Sequence, residues 1–340
     1  MDSLRTIGRT ALLGLMVLLV AGSGAWAALA LWYRLPFGRI ARALGSLAWI
    51  ALMLALMMWA TSGHGWLALL AFVALHAIVL AWWAHIVPSN QSSWRDDVAR
   101  LLTGVVHGTH VQLDNVRNFR WRSDSDYDAH WERRDYDLDQ LLGADAILSY
   151  WGSAAIAHAM ISFGFDDGRH LVFSVEVRKR RDQAYSSIGG FFKQFETILV
   201  AAEENDIIRV RTSVRDEDVY LYPLRVDRAR LQALFLSYVD AANRLARQPA
   251  FYNTFTSNCT SLVYRMARQI DTALPWDVRL LFTGYLPEYL DKIGAIDGTL
   301  PLKVLRERGR ISERARAIGP EQEFSRVIRQ GLHGSLSGLH

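Results

Sequence analysis

Three long apolar runs at the start of the chain restrict its fold more than any other feature. Residues 11–33, 44–61 and 66–87 contain no Asp, Glu, Lys or Arg. Each run approaches the ~20 apolar residues that a helix needs to cross a bilayer. A cleavable signal peptide is rejected for the first run because two more runs follow it. The pattern predicts three transmembrane helices, with a buried or re-entrant helix as the alternative for residues 44–61.

Positive charge leaves the orientation of these helices open. Arg5 and Arg9 precede the first run and favour a cytoplasmic N-terminus, since Lys and Arg prefer the cytoplasmic side of a membrane. Arg34, Arg39 and Arg42 lie in the first loop and favour the opposite orientation. Charge alone therefore does not assign the part of the chain beyond residue 87 to one side of the membrane.

The charge beyond the membrane region is divided between an acidic domain and a basic tail. Residues 88–302 hold 25 Lys and Arg against 29 Asp and Glu, whereas residues 303–340 hold 8 against 4. We therefore divide the chain into a membrane anchor at 1–87, a soluble domain at 88–302 and a basic tail at 303–340. The tail arginines are expected either to contact anionic lipid headgroups or to form a solvated helix face. The sequence lacks the one-sided cluster of basic residues with interleaved aromatic residues that would indicate nucleic-acid binding.

The soluble domain is expected to be α+β, an antiparallel sheet with helices packed against one face. Alternating apolar residues and turn signals predict its strands, and the 3.6-residue period predicts its helices. Strands are predicted at residues 111–122, 156–165, 171–178, 207–214 and 219–224, a charged, extended segment at residues 131–138, and helices at residues 226–247 and 259–270.

Cys259 is the only cysteine in the chain, and it lies where a polar loop runs into the last predicted helix. The unpaired N–H groups and the dipole at a helix N-terminus favour the thiolate, which is the nucleophilic form of cysteine. The alternative is a buried cysteine that packs as a small hydrophobe. A nucleophilic role requires a base, usually histidine, within hydrogen-bond reach.

The predicted hairpin at 156–178 selects His158 as that base. Successive strand residues point to opposite faces of a sheet, so the apolar residues of both strands share one face. His158 then shares the other face with Ser174 and Glu176, which supply a hydroxyl and a carboxylate to orient an imidazole. The alternative is that His158 lies on an ordinary solvated sheet face.

The amide of Asn258 and the backbone N–H of Cys259 are candidates for an oxyanion hole. Capping of the following helix is the alternative role for Asn258. No metal site is expected, because the single thiol and the scattered histidines, His130 included, lack compact ligand spacing. No cofactor is expected either: Gly189 and Gly190 lack the strand-to-helix context and the lysine of a phosphate loop.

Residues from about 110 to 270 resemble the Lnb N-terminal periplasmic domain family. More distantly, a strand histidine that precedes an Asn-Cys at a helix start is similar to the circularly permuted papain-like enzymes that include lecithin:retinol acyltransferase. The stretches that carry the family resemblance are Asn115–Arg122, Ser149–Trp151, Ile156–His158, Ser162–Phe165, Ser174–Arg178, Tyr252–Asn253 and Asn258–Thr260.

The resemblance implies a permuted papain-like fold, a cysteine acyl-enzyme mechanism and a domain outside the cytoplasm. It therefore implies an inner-membrane, multi-pass protein whose soluble domain faces the periplasm. The namesake of the family is implicated in N-acylation of lipoproteins with a phospholipid as the acyl donor, which makes membrane lipids and lipoproteins the expected partners.

The leading hypothesis is thus a membrane-anchored cysteine acyltransferase or acyl hydrolase. Cys259 is the expected nucleophile, His158 the base, and Glu176 or Ser174 the group that orients the imidazole. An amidase or peptidase that uses the same two residues on cell-wall peptides is the second hypothesis. A non-catalytic periplasmic binding module, with Cys259 packed in the core, is the third.

Overall fold

The computed structural model describes residues 2–319 and 323–332. The chain forms two compact units, Met1–Pro88 with Ser186–Gln194, and Ser89–Tyr185 with Phe195–His340. The division agrees with the composition shift near residue 88. The short segment Ser186–Gln194 is connected on both sides to the second unit but belongs to the first.

The first unit contains three helices, α1 (Asp2–Arg34), α2 (Arg39–Trp59) and α3 (Gly65–Ala84). Two stretches, rather than the predicted three, have the length and composition of a membrane span, Val17–Arg34 and Arg39–Ala84. The second stretch includes both α2 and α3, because only five residues separate them. Gly63 breaks the helix there with φ +95°, a conformation that glycine adopts at low cost.

Tryptophan and small residues hold the three helices of the first unit together. Ala27 of α1, Trp49 of α2 and Val79 of α3 belong to one buried cluster. The Trp49 indole N–H donates to the Gly24 carbonyl at 3.1 Å, which joins α2 to α1. These contacts require α2 and α3 to lie side by side rather than in one straight helix.

The second unit is built on an eight-stranded sheet. Its strands are β1 (Thr103–His107), β2 (His110–Arg117), β5 (Trp131–Asp137), β6 (Leu141–Tyr150), β7 (Ala157–Phe165), β8 (His170–Arg178), β9 (Glu196–Glu203) and β10 (Asp218–Pro223); β3 (Arg120–Trp121) and β4 (Tyr127–Asp128) form a small separate pair. The order is β1-β2-β9-β8-β7-β6-β10, and β5 also pairs with β2. The sheet is mixed rather than purely antiparallel as predicted, because β2 runs parallel to β9 where Arg117 is opposite Ala202.

Helices cover both faces of the sheet, which corrects the prediction of helices on one face. They are α4 (Glu204–Arg209), α5 (Arg228–Arg247), α6 (Cys259–Ile270), α7 (Leu286–Lys292), α8 (Leu302–Gly309), α9 (Ser312–Arg316) and α10 (Phe324–Ile328). On one face Phe163 and Phe173 contact Phe235 of α5. On the other, Val172 shares an apolar cluster with Ile207 of α4 and with residues of α9 and α10. Because both faces of the sheet are buried, its strands need apolar side chains at odd and at even positions alike.

The predicted strand at 207–214 is wrong, since these residues form part of α4 and an irregular helical turn, Val210–Val214. Their β-branched composition favours a strand, but packing of Ile207 and Ile208 on the sheet determines the local structure. The strand in this region is β9, whose fully buried run Ile198–Ala202 follows no alternating pattern because both of its faces are covered.

The predicted basic tail packs onto the second unit over the part that the structure describes. Arg329 reaches the sheet, where its guanidinium donates to Asp145 at 2.6 Å and to Glu204 at 2.6 Å and 2.8 Å. Arg310 pairs with Asp218 at 2.9 Å. These arginines therefore make ion pairs within the protein. Residues 320–322 and 333–340 of the predicted tail lie outside the described residues.

A buried carboxylate, Asp206, holds the Asn115–Arg122 stretch against α4. Arg117 donates two hydrogen bonds to it, at 2.8 Å and 3.0 Å. The backbone N–H of Phe119 and the indole N–H of Trp121 donate to the same group at 2.9 Å and 2.7 Å. The carboxylate is fully buried and all its contacts are from donors, so the stretch is fixed by one residue from a distant part of the chain.

We expect Asp206→Ala to destabilise the second unit by ~3–5 kcal/mol, because the Arg117 charge stays buried without its partner. The matched control is Asp126→Ala, which removes an ion pair with Arg122 whose side chains are 53% and 60% exposed. Such an exposed pair contributes ~0–1 kcal/mol. Denaturant unfolding of the purified full chain, followed by tryptophan fluorescence, measures both; equal effects would contradict the anchoring role of Asp206.

Candidate active site

Cys259 is the first residue of α6, and a reciprocal capping box fixes this helix end. The Asn258 side chain accepts from the Ser261 backbone N–H at 2.8 Å, and the Ser261 hydroxyl accepts from the Asn258 N–H at 2.9 Å. The helix begins and ends at the residues predicted from the sequence. Cys259 is 6% exposed, and its thiol is therefore held within the domain at the positive end of the helix dipole.

The thiol is next to an opening between two strands. β7 and β8 are paired from Gly164, opposite His170, to Met160, opposite Ser174. The pairing ends there, so Ala159 and His158, the two residues of β7 that precede Met160, are not paired with β8. The backbone N–H of Ala159 is close enough to the Cys259 sulfur to help lower the pKa of the thiol. Ala159 and Val175 also belong to the apolar cluster that surrounds the thiol. The parting of the strands thus lets a helix end reach the sheet backbone.

His158 joins the thiol to the polar face of the hairpin. Its Nε2 lies 2.7 Å from the Ser174 hydroxyl and 3.2 Å from Glu176 Oε1, and its ring is close enough to the Cys259 thiol to lower the pKa of that thiol. The Ser174 hydroxyl donates its proton to Glu176 at 2.8 Å, so the contact with Ser174 requires Nε2 to carry a proton. Predicted residues Cys259, His158, Ser174 and Glu176 therefore lie together.

Arg211 is the part of this site that the sequence did not predict. Its guanidinium, 5% exposed, donates to Glu176 Oε1 at 2.7 Å and to the Ile207 carbonyl at 2.7 Å. Its Nε lies 4.0 Å from Glu217, which accepts from the buried Ser149 hydroxyl. The local sequence does not distinguish Arg211, because Arg209 and Arg215 lie close to it in the same stretch.

The charges of the site are mutually stabilised. Burial favours the neutral thiol, but the hydrogen bond and the charge of His158 outweigh it and lower the pKa of Cys259. Burial also opposes the imidazolium, yet Glu176 and the thiolate raise the pKa of His158 to about 9. His158 and Arg211 together hold the pKa of Glu176 well below its usual range, although burial opposes this too. The arrangement stabilises the thiolate and the imidazolium relative to their neutral forms.

The Asn258 side chain caps the N-terminus of α6. Its amide oxygen binds Ser261, and its amide N–H group donates to the Thr254 carbonyl at 2.8 Å. The side chain is 5% exposed. Its predicted contribution to an oxyanion hole would require the amide to leave Thr254, whereas the backbone N–H of Cys259 is one of those that no intrahelical bond uses.

An apolar cavity of about 400 Å³ lies beside the first turn of α6, where it is lined by Thr260 but not by Cys259 or His158. Ala159 and Leu286 line it and also belong to the apolar cluster of Cys259. Its remaining walls are mainly aliphatic residues of the sheet, the helices and the loops between them, and Val263 and Ala267 are those of the middle of α6. Its charged lining is limited to Arg225, Asp227, Arg230 and Asp271. The volume lies within the ~300–1,000 Å³ of small-molecule sites.

The other histidines that the structure describes lie outside this cluster. His110 is exposed beside Asp137, and His170 bonds the carbonyl of Gly168 in the hairpin turn. Asp145, His170 and Glu204 have ligand atoms within 4.8 Å of one another, a spacing that resembles a metal site. The Arg329 guanidinium already pairs with both carboxylates, so its positive charge neutralises them as a metal ion would.

Comparison with known proteins supports the expected family. Residues 127–284 match the Lnb N-terminal periplasmic domain, a range that includes His158 and Cys259 but not the Asn115–Arg122 stretch. No curated protein and no solved structure matches the chain. Together with the apolar helices near the N-terminus, the match indicates a membrane-anchored protein that carries a periplasmic domain. The papain-like relationship is not confirmed by these comparisons.

The lowered pKa of Cys259 predicts alkylation by iodoacetamide at pH values where an ordinary thiol, with a pKa of about 8.5, is largely protonated. Because the chain has one cysteine, the denatured protein is an internal control for the same thiol. His158→Ala should move the rate–pH profile of the folded protein toward that of the denatured one. Identical folded and denatured profiles in the wild type would contradict activation of the thiol.

Proposed function

We propose that this Lnb N-terminal periplasmic domain is a cysteine enzyme that takes an acyl group from an ester onto Cys259 and passes it to water or an amine. The position of His158 between the Cys259 thiol and the Ser174–Glu176 pair is the observation that carries the proposal. Nucleophile, base and orienting group in this order are the parts that acyl transfer by a thiol requires.

The first step forms a thioester. Since Nε2 of His158 is engaged by Ser174 and Glu176, we assign Nδ1 to the thiol. The sulfur attacks the acyl carbonyl carbon while its proton resides on the imidazole. Collapse of the tetrahedral intermediate breaks the bond to the leaving oxygen, which takes that proton from His158. Glu176 stabilises the imidazolium, and Arg211 keeps Glu176 ionised and in place.

The negative oxygen of the tetrahedral intermediate requires N–H donors. The backbone N–H of Cys259 lies at the N-terminus of α6, the positive end of the helix dipole. We propose that it donates to the negative oxygen. We assign the role of second donor to the Ala159 N–H, which helps lower the pKa of the resting thiol. Both are backbone groups, so they are positioned by the helix cap and the strand opening rather than by flexible side chains.

The second step returns the free enzyme. The neutral imidazole accepts a proton from water or from a primary amine as that group attacks the thioester carbonyl. The carbon–sulfur bond then breaks, and the sulfur leaves as a thiolate paired with the imidazolium. Water as the acceptor gives a carboxylic acid, and an amine gives an amide. The residues of the site serve either acceptor.

The cavity favours a lipid acyl group over a cell-wall peptide as the acyl donor. A hydrocarbon chain gains free energy from transfer into an apolar cavity, whereas a peptide would leave its buried polar groups without partners. Attachment to the membrane also raises the local concentration of lipid esters around the domain. A phospholipid ester is therefore the proposed donor, and a lipoprotein amine is the proposed acceptor.

The proposed location is the inner membrane, crossed three times, with the domain in the periplasm. The Arg39–Ala84 stretch has 46 residues, and a straight helix of that length would extend ~70 Å against a hydrocarbon core of ~30 Å. The break at Gly63 and the side-by-side packing of α2 and α3 support two crossings by this stretch. With α1, this gives three.

Cys259→Ala should abolish ester cleavage, and His158→Ala should lower kcat/KM by about 10²–10⁴-fold, the range for loss of a general base. His110→Ala is the matched control, because it removes an imidazole whose side chain is 74% exposed. Release of lysophospholipid from phospholipid vesicles, measured by mass spectrometry, is the assay. An active Cys259→Ala enzyme would disprove the mechanism.

The cavity gives a separate prediction about chain length. Ala267→Phe fills space in the cavity wall and should lower kcat/KM for long-chain esters while leaving short-chain esters unaffected. Gln269→Phe adds the same ring to the exposed side of α6 and is the control. We expect a loss of roughly tenfold to 200-fold for the longest chains, the size of effect that a few methylenes produce in an apolar pocket. Equal losses for all chain lengths would place the acyl chain elsewhere.

A further inference from the structure

We propose that residues 274–286, here called the flap, dock on the surface of a lipid bilayer and lie between the bilayer and the apolar cavity. The flap runs from Leu274, after α6, to Leu286, the first residue of α7. The proposal extends the proposed function, since the cavity is assigned there to an acyl chain. Its first test is independent of catalysis.

The flap is apolar on both of its sides. Leu274, Leu280 and Leu286 line the cavity. Between them, Trp276 and Phe282 are 62% and 48% exposed on the other side. A surface segment of a water-soluble protein normally presents polar side chains to solvent, and grouped exposed apolar residues mark a site of interaction with a partner or a membrane.

The charged residues of the flap do not cover this outer side. Asp277 is 9% exposed and accepts from Lys292 of α7 at 2.9 Å and from the Arg279 backbone N–H at 3.1 Å. The Arg279 guanidinium donates to the carbonyl of Glu288 at 2.8 Å. Both flap charges are therefore bound to the protein, and Val278, between them, is 51% exposed.

The exposed apolar surface continues to the loop before His158. The Gly284 N–H donates to the Ala155 carbonyl at 3.1 Å, and the Gly284 carbonyl accepts from the Tyr150 hydroxyl at 2.7 Å. Ile156, the next residue along that loop, is 49% exposed, and it precedes His158 by two positions. The apolar surface thus borders the strand that carries the proposed base.

A bilayer is the occupant that fits this surface best. The second unit begins at Ser89, shortly after α3 ends at Ala84, so the domain is always within reach of lipid. Trp and Tyr prefer the headgroup region, and Trp276 with Tyr285 supplies both from one segment. Movement of the flap in contact with lipid would give an acyl chain a path into the cavity without passing through water.

Site-specific fluorescence tests the docking. The full chain with Cys259→Ser has no cysteine, so Trp276→Cys introduces one labelling position for an environment-sensitive nitrobenzoxadiazole dye. Asp167→Cys, in the turn at the far end of the β7–β8 hairpin, is the matched control. Both proteins are reconstituted into vesicles of phosphatidylethanolamine and phosphatidylglycerol, with and without nitroxide-labelled lipid.

We expect a blue-shifted emission that nitroxide lipid quenches at position 276, and unquenched, water-like emission at position 167. A dye at 276 that behaves like the dye at 167 would overturn the proposal. A dye at 276 that is shielded from aqueous iodide but not quenched by nitroxide lipid would also overturn it, because a protein would then cover the flap. The Cys259→Ser background is inactive under the proposed mechanism, so these outcomes do not depend on catalysis.

A kinetic comparison tests the role of docking. Trp276→Ser combined with Phe282→Ser should lower kcat/KM for phospholipid in vesicles by roughly tenfold or more, since two large apolar side chains no longer enter the interface. Hydrolysis of a short-chain, water-soluble ester should be unchanged, because neither residue lines the cavity. Equal losses on both substrates would contradict docking while leaving the proposed chemistry intact.

Discussion

The end of strand pairing between β7 and β8 is the constraint on which the site depends. Past Met160 and Ser174 the two strands are no longer paired, and Ala159, the next residue of β7, packs with Cys259 instead. A continuous ladder would place β8 beside Ala159 and leave no room for a helix end. Because the strands part there, a thiol at the start of α6 and an imidazole on the opposite sheet face contact each other.

The buried charges around this opening stabilise one another as a set. Anions and cations alternate from the Cys259 thiolate through His158, Glu176 and Arg211 to Glu217. An isolated charge at this depth would be neutralised by proton transfer, whereas each charge here has an opposite neighbour within hydrogen-bond or ion-pair distance. Because the pKa of His158 is raised in the folded protein, its imidazolium stabilises the fold. This contribution is fully present below the ordinary histidine pKa and is lost as the pH rises through about 9. The pKa of Glu176 is lowered in the folded protein, so its carboxylate also stabilises the fold, but this contribution is lost as the solution becomes acidic.

Local signals predicted the parts of the site that depend on short stretches of sequence. The polar loop before Cys259 predicted α6 to the residue, and strand parity placed His158, Ser174 and Glu176 together. The misses involve contacts between distant segments. The fully buried strand β9 has no alternation to detect, and residues 207–214 are helical because they pack on the sheet. Neither a local period nor a turn signal carries that information. Arg211 was missed with them, since its role exists only once the turn Val210–Val214 lies beside Glu176 of β8.

The acylation state of Cys259 tests the central claim most directly. The full chain in phospholipid vesicles is quenched in acid after brief turnover, digested, and analysed by mass spectrometry for the peptide that contains Cys259. We expect a fatty acyl adduct on the sulfur that neutral hydroxylamine removes, and its loss in His158→Ala. A Cys259 peptide that stays unmodified while lysophospholipid accumulates would contradict a thioester intermediate.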